Sequence, residues 1–212
     1  RKGRLLLSVA EEGESEVTFH SLATAPASVA YNRNDERLEV PIIPPKHIVV
    51  CGAGPDADPM VAMMTLLGWQ VSIVDHRKVA LNRAAFSACQ HKVSYKALDD
   101  VCALLSKADG VVIMTHSLER DGRLLVMSLD SNVPYVGLLG PQARRDKLLT
   151  HNNISHKIAN KIHAPIGLNI GGRGPEAIAL SVCAEIQSFF AEKPFDSHSA
   201  VLTRVEEVAM ID

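Results

Sequence analysis

The run His47-Ile48-Val49-Val50-Cys51 passes directly into Gly52-Ala53-Gly54-Pro55-Asp56-Ala57 and then into helical spacing. A short strand without polar alternation is one buried on both faces of a parallel sheet. A glycine turn behind such a strand lets the chain reverse tightly into a helix, and the spacing follows the G-x-G-x-x-G/A form of dinucleotide-binding units. The first glycine permits the turn, the second allows backbone to approach a pyrophosphate, and a small third residue, here Ala57, lets helix and strand pack.

The rest of the chain repeats the alternation. Met60, Met63, Met64 and Leu67 predict a helix over 59–67, with Asp58 as its N-cap and Gly68 at its end. Strands are predicted at 69–74, 92–95, 110–114 and 135–139. Helices are predicted around Leu98–Leu105 and Leu124–Leu129 and from Pro175 onward, the last with Ile178, Val182, Ile186, Phe189 and Phe190 as its inward stripe. Strands alternating with helices imply a parallel sheet with right-handed crossovers. The expected fold class is therefore α/β: a Rossmann-like parallel sheet with flanking helices over 46–193. A small amino-terminal β-rich segment over 1–45 precedes it, with strands at Leu5–Val9, Val17–Leu22 and Leu38–Ile43, a turn at 11–15 and a polar connection at 31–37. Pro41, Pro44 and Pro45 mark the boundary, and residues 194–212 read as a carboxy-terminal tail.

Charge and composition narrow the function. A net charge of −2 and 4% aromatic residues argue against a nucleic-acid surface. No apolar run approaches the ~20 residues of a membrane span. Cys51, Cys89, Cys102 and Cys183 are scattered with no C-x-x-C pair, which argues against a disulfide framework or a cysteine metal site and fits the reducing cytoplasm. The chain opens on Arg1 rather than Met, consistent with a fragment.

Ligands of open parallel sheets sit beyond the carboxyl ends of the strands. Those ends supply Gly52 and Gly54, then Asp75-His76-Arg77, then Thr115-His116-Ser117, then Gly140-Pro141-Gln142-Ala143-Arg144-Arg145. Asp75 stands 21 residues after Gly54, where it can accept from a ribose hydroxyl. Pro55 and Pro59 remove amide donors from the helix start, and Asp56 and Asp58 add negative charge there, which weakens a phosphate site. The arginines point to an anionic ligand, because guanidinium forks fit phosphate and carboxylate. Each has a duller alternative: Arg77 can pair with Asp75, Arg144 and Arg145 can be solvated, His116 can be a general acid, a metal ligand or a loop histidine, and Asp121 can cap a helix. The stretch from Ile162 to Pro175, with His163, Gly167, Gly171, Gly172, Arg173 and Gly174, reads as a shaped loop with backbone donors available.

From Pro44 to Ile186 the chain resembles the XdhC/CoxI family of xanthine dehydrogenase accessory proteins, as a divergent member. The resemblance rests on Gly52-Ala53-Gly54, Asp75-His76-Arg77, Met114-Thr115-His116, Tyr135 to Gly140 with Arg144-Arg145, and His163 to Leu168 continuing through Gly171 to Pro175-Glu176. It departs at Pro55-Asp56, at Ser117-Leu118 and at Pro141-Gln142-Ala143, and the family's cysteine-bearing amino-terminal segment has no counterpart in 1–43. The resemblance implies a homodimeric accessory protein rather than an enzyme. Such a protein binds molybdenum cofactor and helps its insertion into a partner molybdenum hydroxylase such as xanthine dehydrogenase. It also implies that Gly52, Gly54, Asp75, Arg77, Thr115, His116, Gly140, Arg144, Arg145, His163 and Arg173 surround the phosphate-bearing molybdopterin. The glycine turn and Asp75 keep a second possibility open, an oxidoreductase using NAD.

Overall fold

The computed structural model describes residues 44–95 and 98–192, together with the backbone of four strands before them: β1 (Gly3–Val9), β2 (Ser15–Ser21), β3 (Ala30–Asn32) and β4 (Arg37–Ile42). The chain divides into two units, Arg1–Pro45 and Lys46–Asp212. In the first, the strands form an antiparallel sheet in the order β2-β1-β4-β3. β1 faces β2 from Gly3 opposite Ser21 to Val9 opposite Ser15. The sequence places residues 30–32 largely in a connection, yet they pair with β4, Tyr31 opposite Leu38. Of the expected turn over 11–15, residues 11–14 lie outside the described residues and Ser15 opens β2; the tail at 194–212 also lies outside them.

The second unit is a six-stranded parallel sheet. β5 (His47–Cys51) leads into α1 (Ala57–Leu66), and β6 (Gln70–Asp75) into the short α2 (Lys78–Leu81) and a 3-10 turn at Ala84–Phe86. Then follow β7 (His91–Ser94), α3 (Leu98–Leu105), β8 (Gly110–Ile113), α4 (Leu118–Asp130), β9 (Tyr135–Leu138), α5 (Gln142–His151), α6 (His156–Ala159), β10 (Ile162–His163) and α7 (Pro175–Ala191). The strand order is β10-β9-β8-β5-β6-β7, so the winding reverses between β5 and β8. That switch point opens a crevice at the carboxyl ends of the two strands.

Side chains alternate along β5, so one strand seeds both cores. Ile48 and Val50 join Met60, Met64, Val182 and Ile186 on the face covered by α1 and α7. Val49 and Cys51 join Val101, Leu105, Leu124, Leu125 and Leu148 on the face covered by α3, α4 and α5. All five residues of β5 are buried, as a strand between two helical layers requires.

Two helical predictions need correction. α1 begins at Ala57 rather than 59, with Asp56 rather than Asp58 at its N-cap position, and the Asp56 carboxylate makes no capping bond. Asp58 lies in the first turn and pairs with Arg83. In α7 the inward stripe is Ala179, Val182, Cys183 and Ile186, while Ile178 and Phe189 are exposed. The stripe is rotated because small residues at 179 and 183 suit close packing against a second helix, and α7 packs against α1.

Candidate functional site

The glycine turn is built by close backbone contact. Gly52 has φ +123°, a region open essentially to glycine alone. A Cβ there would run into the backbone carbonyl of Met114 at the end of β8. Its N–H donates to Val74 O at 2.8 Å, which ties the turn to β6. Gly52→Ala is expected to cost about 1–3 kcal/mol in urea unfolding, because strain and clash act together; a change under about 0.5 kcal/mol would show that the turn does not depend on this conformation.

The amides that a pyrophosphate would use are largely taken. Ala53 N–H donates to Asp75 Oδ2 at 2.7 Å, Ala57 N–H to Gly54 O at 3.1 Å, and Asp58 N–H to Pro55 O at 3.3 Å. Asp75 is buried and engaged on both oxygens. Arg77 N–H donates to Oδ1 at 2.7 Å, its Nε to Oδ1 at 3.0 Å and its Nη2 to Oδ2 at 3.0 Å. His76 Nδ1 lies 3.1 Å from Oδ1. Burial alone would push the Asp75 carboxyl up, but the Arg77 guanidinium and the Ala53 and Arg77 amides outweigh it and hold the group down at about 2. Asp75, read as placed to accept from a ribose hydroxyl, has both oxygens engaged, and of the alternatives for Arg77 the pairing with Asp75 is the one seen.

The remaining acids of the turn are also matched. Asp58 pairs with Arg83, whose Nη1 also reaches Ala53 O at 3.4 Å. Asp56 Oδ2 lies 2.7 Å from His116 Nε2. His116 adopts φ +60°, a left-handed conformation uncommon outside glycine. Each of these carboxylates therefore sits opposite a basic side chain from another loop.

The arginines after β9 follow the same pattern. Arg144 donates through Nη2 to Asp121 Oδ2 at 2.6 Å and through Nε at 3.3 Å. Asp121, expected as a cap, is fully buried inside α4, while Ser117 holds the N-cap position. Its other oxygen accepts from the Thr115 N–H at 3.1 Å and from the Thr115 hydroxyl, so Thr115 and Arg144 converge on one carboxylate. Arg145 pairs with Asp146 and donates to Ala164 O at 3.1 Å. Arg77, Arg144 and Arg145 are thus each paired with a carboxylate, because buried or half-buried charge is stable only when paired. His163 stacks on the Tyr135 ring at 4.3 Å and meets Glu185 Oε1 at 2.7 Å.

An open space lies beyond the carboxyl ends of β8 and β9. A cavity of about 590 Å³ is lined by His116 after β8, Leu139, Gly140 and Pro141 after β9, Ile166, Leu168, Asn169, Gly171 and Gly172 of the shaped loop, and Ala177, Ile178 and Ser181 of α7. Gly140, at φ +130°, leaves room for the Arg144 side chain to cross it. Arg173 is exposed and makes no ion pair or hydrogen bond among the described residues, and neither do the amides of Gly171, Gly172 and Arg173. Of the expected site residues, His116 and Gly140 line this cavity and Arg173 belongs to its loop. Sequence reasoning missed Glu185 and offered Asp121 only as a helix cap; both are acids within helices, and Arg144 and Gly167, which they hold, lie elsewhere along the chain. It also missed the apolar lining from Leu139, Ile166 and Leu168. Among the described residues no cluster of His, Cys, Asp and Glu could hold a metal, and no helix is long and apolar enough to cross a membrane.

A parallel sheet wound in both directions, with a glycine turn at its switch point and a ligand-sized cavity at the strand ends, defines a Rossmann-type domain. Residues 48–186 match the family described as the XdhC Rossmann domain, and the chain belongs to that family. It is 31% identical over 151 residues to a Bacillus subtilis protein named as a probable xanthine dehydrogenase subunit, covering 68% of this chain and 43% of that protein. It is 29% identical over 146 residues to the Escherichia coli protein YqeB, covering 66% of this chain and 26% of that protein. A crystal structure described as a xanthine dehydrogenase from Bacillus halodurans shares the fold, with a TM-score of 0.67 at 21% identity over 92% of this chain and 62% of that one. The chain thus spans less than half the length of the curated relatives it matches.

Proposed function

We propose that the chain is the Rossmann part of a cytoplasmic, homodimeric accessory protein that binds molybdenum cofactor and assists its insertion into a xanthine dehydrogenase-type hydroxylase. The observation that carries this reading is the cavity of about 590 Å³ between the β8 and β9 loops and the 163–175 loop. Its volume suits a molecule of pterin size. Leu139, Ile166, Leu168 and Ile178 supply apolar walls for a flat ring. The free amides at 171–173 and the Arg173 guanidinium supply donors for a phosphate. The bound group brings its redox chemistry to the hydroxylase, while this chain's residues hold and orient it.

The reading as an NAD-dependent oxidoreductase has less support. Asp75 has both oxygens engaged, and the turn's amides are largely spent on internal bonds. Anaerobic titration with molybdopterin, with NAD run alongside, separates the two. Saturable molybdopterin binding is expected, weakened about tenfold or more in Arg173→Glu, where a charged hydrogen bond is lost and a like charge is introduced. Folded protein that shows no saturable molybdopterin binding, or binds NAD instead, would overturn the proposal.

A further inference from the structure

The wall of the cavity is fixed by a residue outside it. α7 presents Ala177, Ile178 and Ser181 to the cavity, and Glu185 lies one turn beyond Ser181 on the same face without lining it. Ser181 grips the loop at Leu168: its hydroxyl donates to Leu168 O, and its carbonyl accepts from Leu168 N–H at 3.2 Å. Glu185 grips the preceding residue, with Oε2 accepting from Gly167 N–H at 2.7 Å. The other oxygen, Oε1, accepts from the Tyr135 hydroxyl at 2.7 Å and meets His163 Nδ1 at 2.7 Å. One largely buried carboxylate therefore joins α7, β9, β10 and the base of the loop. Gly167 has φ +104°, and a Cβ there would strike Ser181 Oγ, so the loop crosses α7 at a closely constrained height.

We propose that Glu185 is a positioning residue for the pocket. By holding Gly167 N–H it sets the height of the 166–172 wall over α7, and so the fit of the cavity to an anionic heterocycle. This rests on the pocket reading given above. A carboxylate accepting from a main-chain N–H makes a stronger bond than a neutral acceptor, and one with two oxygens can serve strand and loop at once. Glutamine keeps the volume but has a single carbonyl oxygen, which faces the two groups on the strand side, Tyr135 and His163, and leaves its NH2, a donor, against the Gly167 N–H.

The test uses Glu185→Gln, with Tyr135→Phe as a variant that loses one of the two strand-side contacts and keeps the acceptor for Gly167 N–H. Amide exchange followed residue by residue in the full chain reads the loop, and anaerobic molybdopterin titration reads the pocket. In Glu185→Gln, Gly167 and Leu168 are expected to exchange about tenfold faster or more relative to Val49 and Val112, with molybdopterin affinity falling at least about fivefold. In Tyr135→Phe the loop amides are expected to keep their protection. The inference fails if the loop amides are unchanged in Glu185→Gln, if loop and strand amides accelerate together, or if the loop loosens while affinity holds. If the wild-type chain binds no molybdopterin, the pocket reading falls separately, and unchanged Gly167 exchange still overturns the positioning of the loop by Glu185.

Discussion

Replacing Arg144 by alanine is expected to destabilise the protein by about 3–5 kcal/mol, because it leaves the buried Asp121 carboxylate without its cation. Urea unfolding should show a lowered midpoint with little change in slope, since the surface exposed on unfolding is nearly the same. The consequence reaches the crevice. Asp121 also holds the Thr115 N–H and hydroxyl, and Thr115 precedes the strained His116 on the cavity wall. Adding Asp121→Asn to Arg144→Ala should restore part of the loss, since an amide is cheaper to bury unpaired than a carboxylate. A single-variant cost below about 1 kcal/mol would mean that the pair is solvated in practice and does not organise the loop.

Asp75→Ala is expected to cost about 3 kcal/mol near neutral pH, with the buried Ala53 N–H left unpaired. Arg77 contributes less of this cost, because its side chain is 53% exposed and water replaces the lost partner. The pH dependence has a defined sign. The folded Asp75 group titrates at about 2, below its ordinary value of 3.8. Its stabilisation is therefore complete above about pH 4 and is lost as the pH falls through about 2. By linkage this amounts to about 2 kcal/mol, which the wild-type chain should lose over that window and Asp75→Ala should not. Parallel acid-unfolding curves for the two proteins would contradict the assignment.

The electrostatic pattern explains how a Rossmann scaffold can keep its glycine turn and lack an open phosphate seat. Asp75 with Arg77, Asp58 with Arg83, Asp56 with His116 and Asp121 with Arg144 all lie around the switch point. The first of these pairs engages the carboxylate that a ribose hydroxyl would otherwise meet. The ligand-sized space lies toward β9 and α7, where glycines line the wall and the main-chain donors at 171–173 are free among the described residues.

Much of the fold was legible from residue order. The unbroken apolar run of β5, the glycine at 52, and the alternation of strands with helical spacing each report local requirements: burial on both faces, a backbone conformation that only glycine tolerates, and a 3.6-residue period. Pro175 as the first residue of α7 was legible for the same reason, since proline lacks the donor that a helix start leaves unused. Only the tertiary structure decided which charges are spent. Asp121 and Arg144, Asp56 and His116, and Glu185 with Gly167 are brought together by strand order and helix packing, and no local spacing announces them. Arginines after successive strands read alike in sequence whether they face a ligand or a buried acid. Their meaning depends on partners many residues away, because the energy of a buried charge is set by what it touches rather than by its neighbours along the chain.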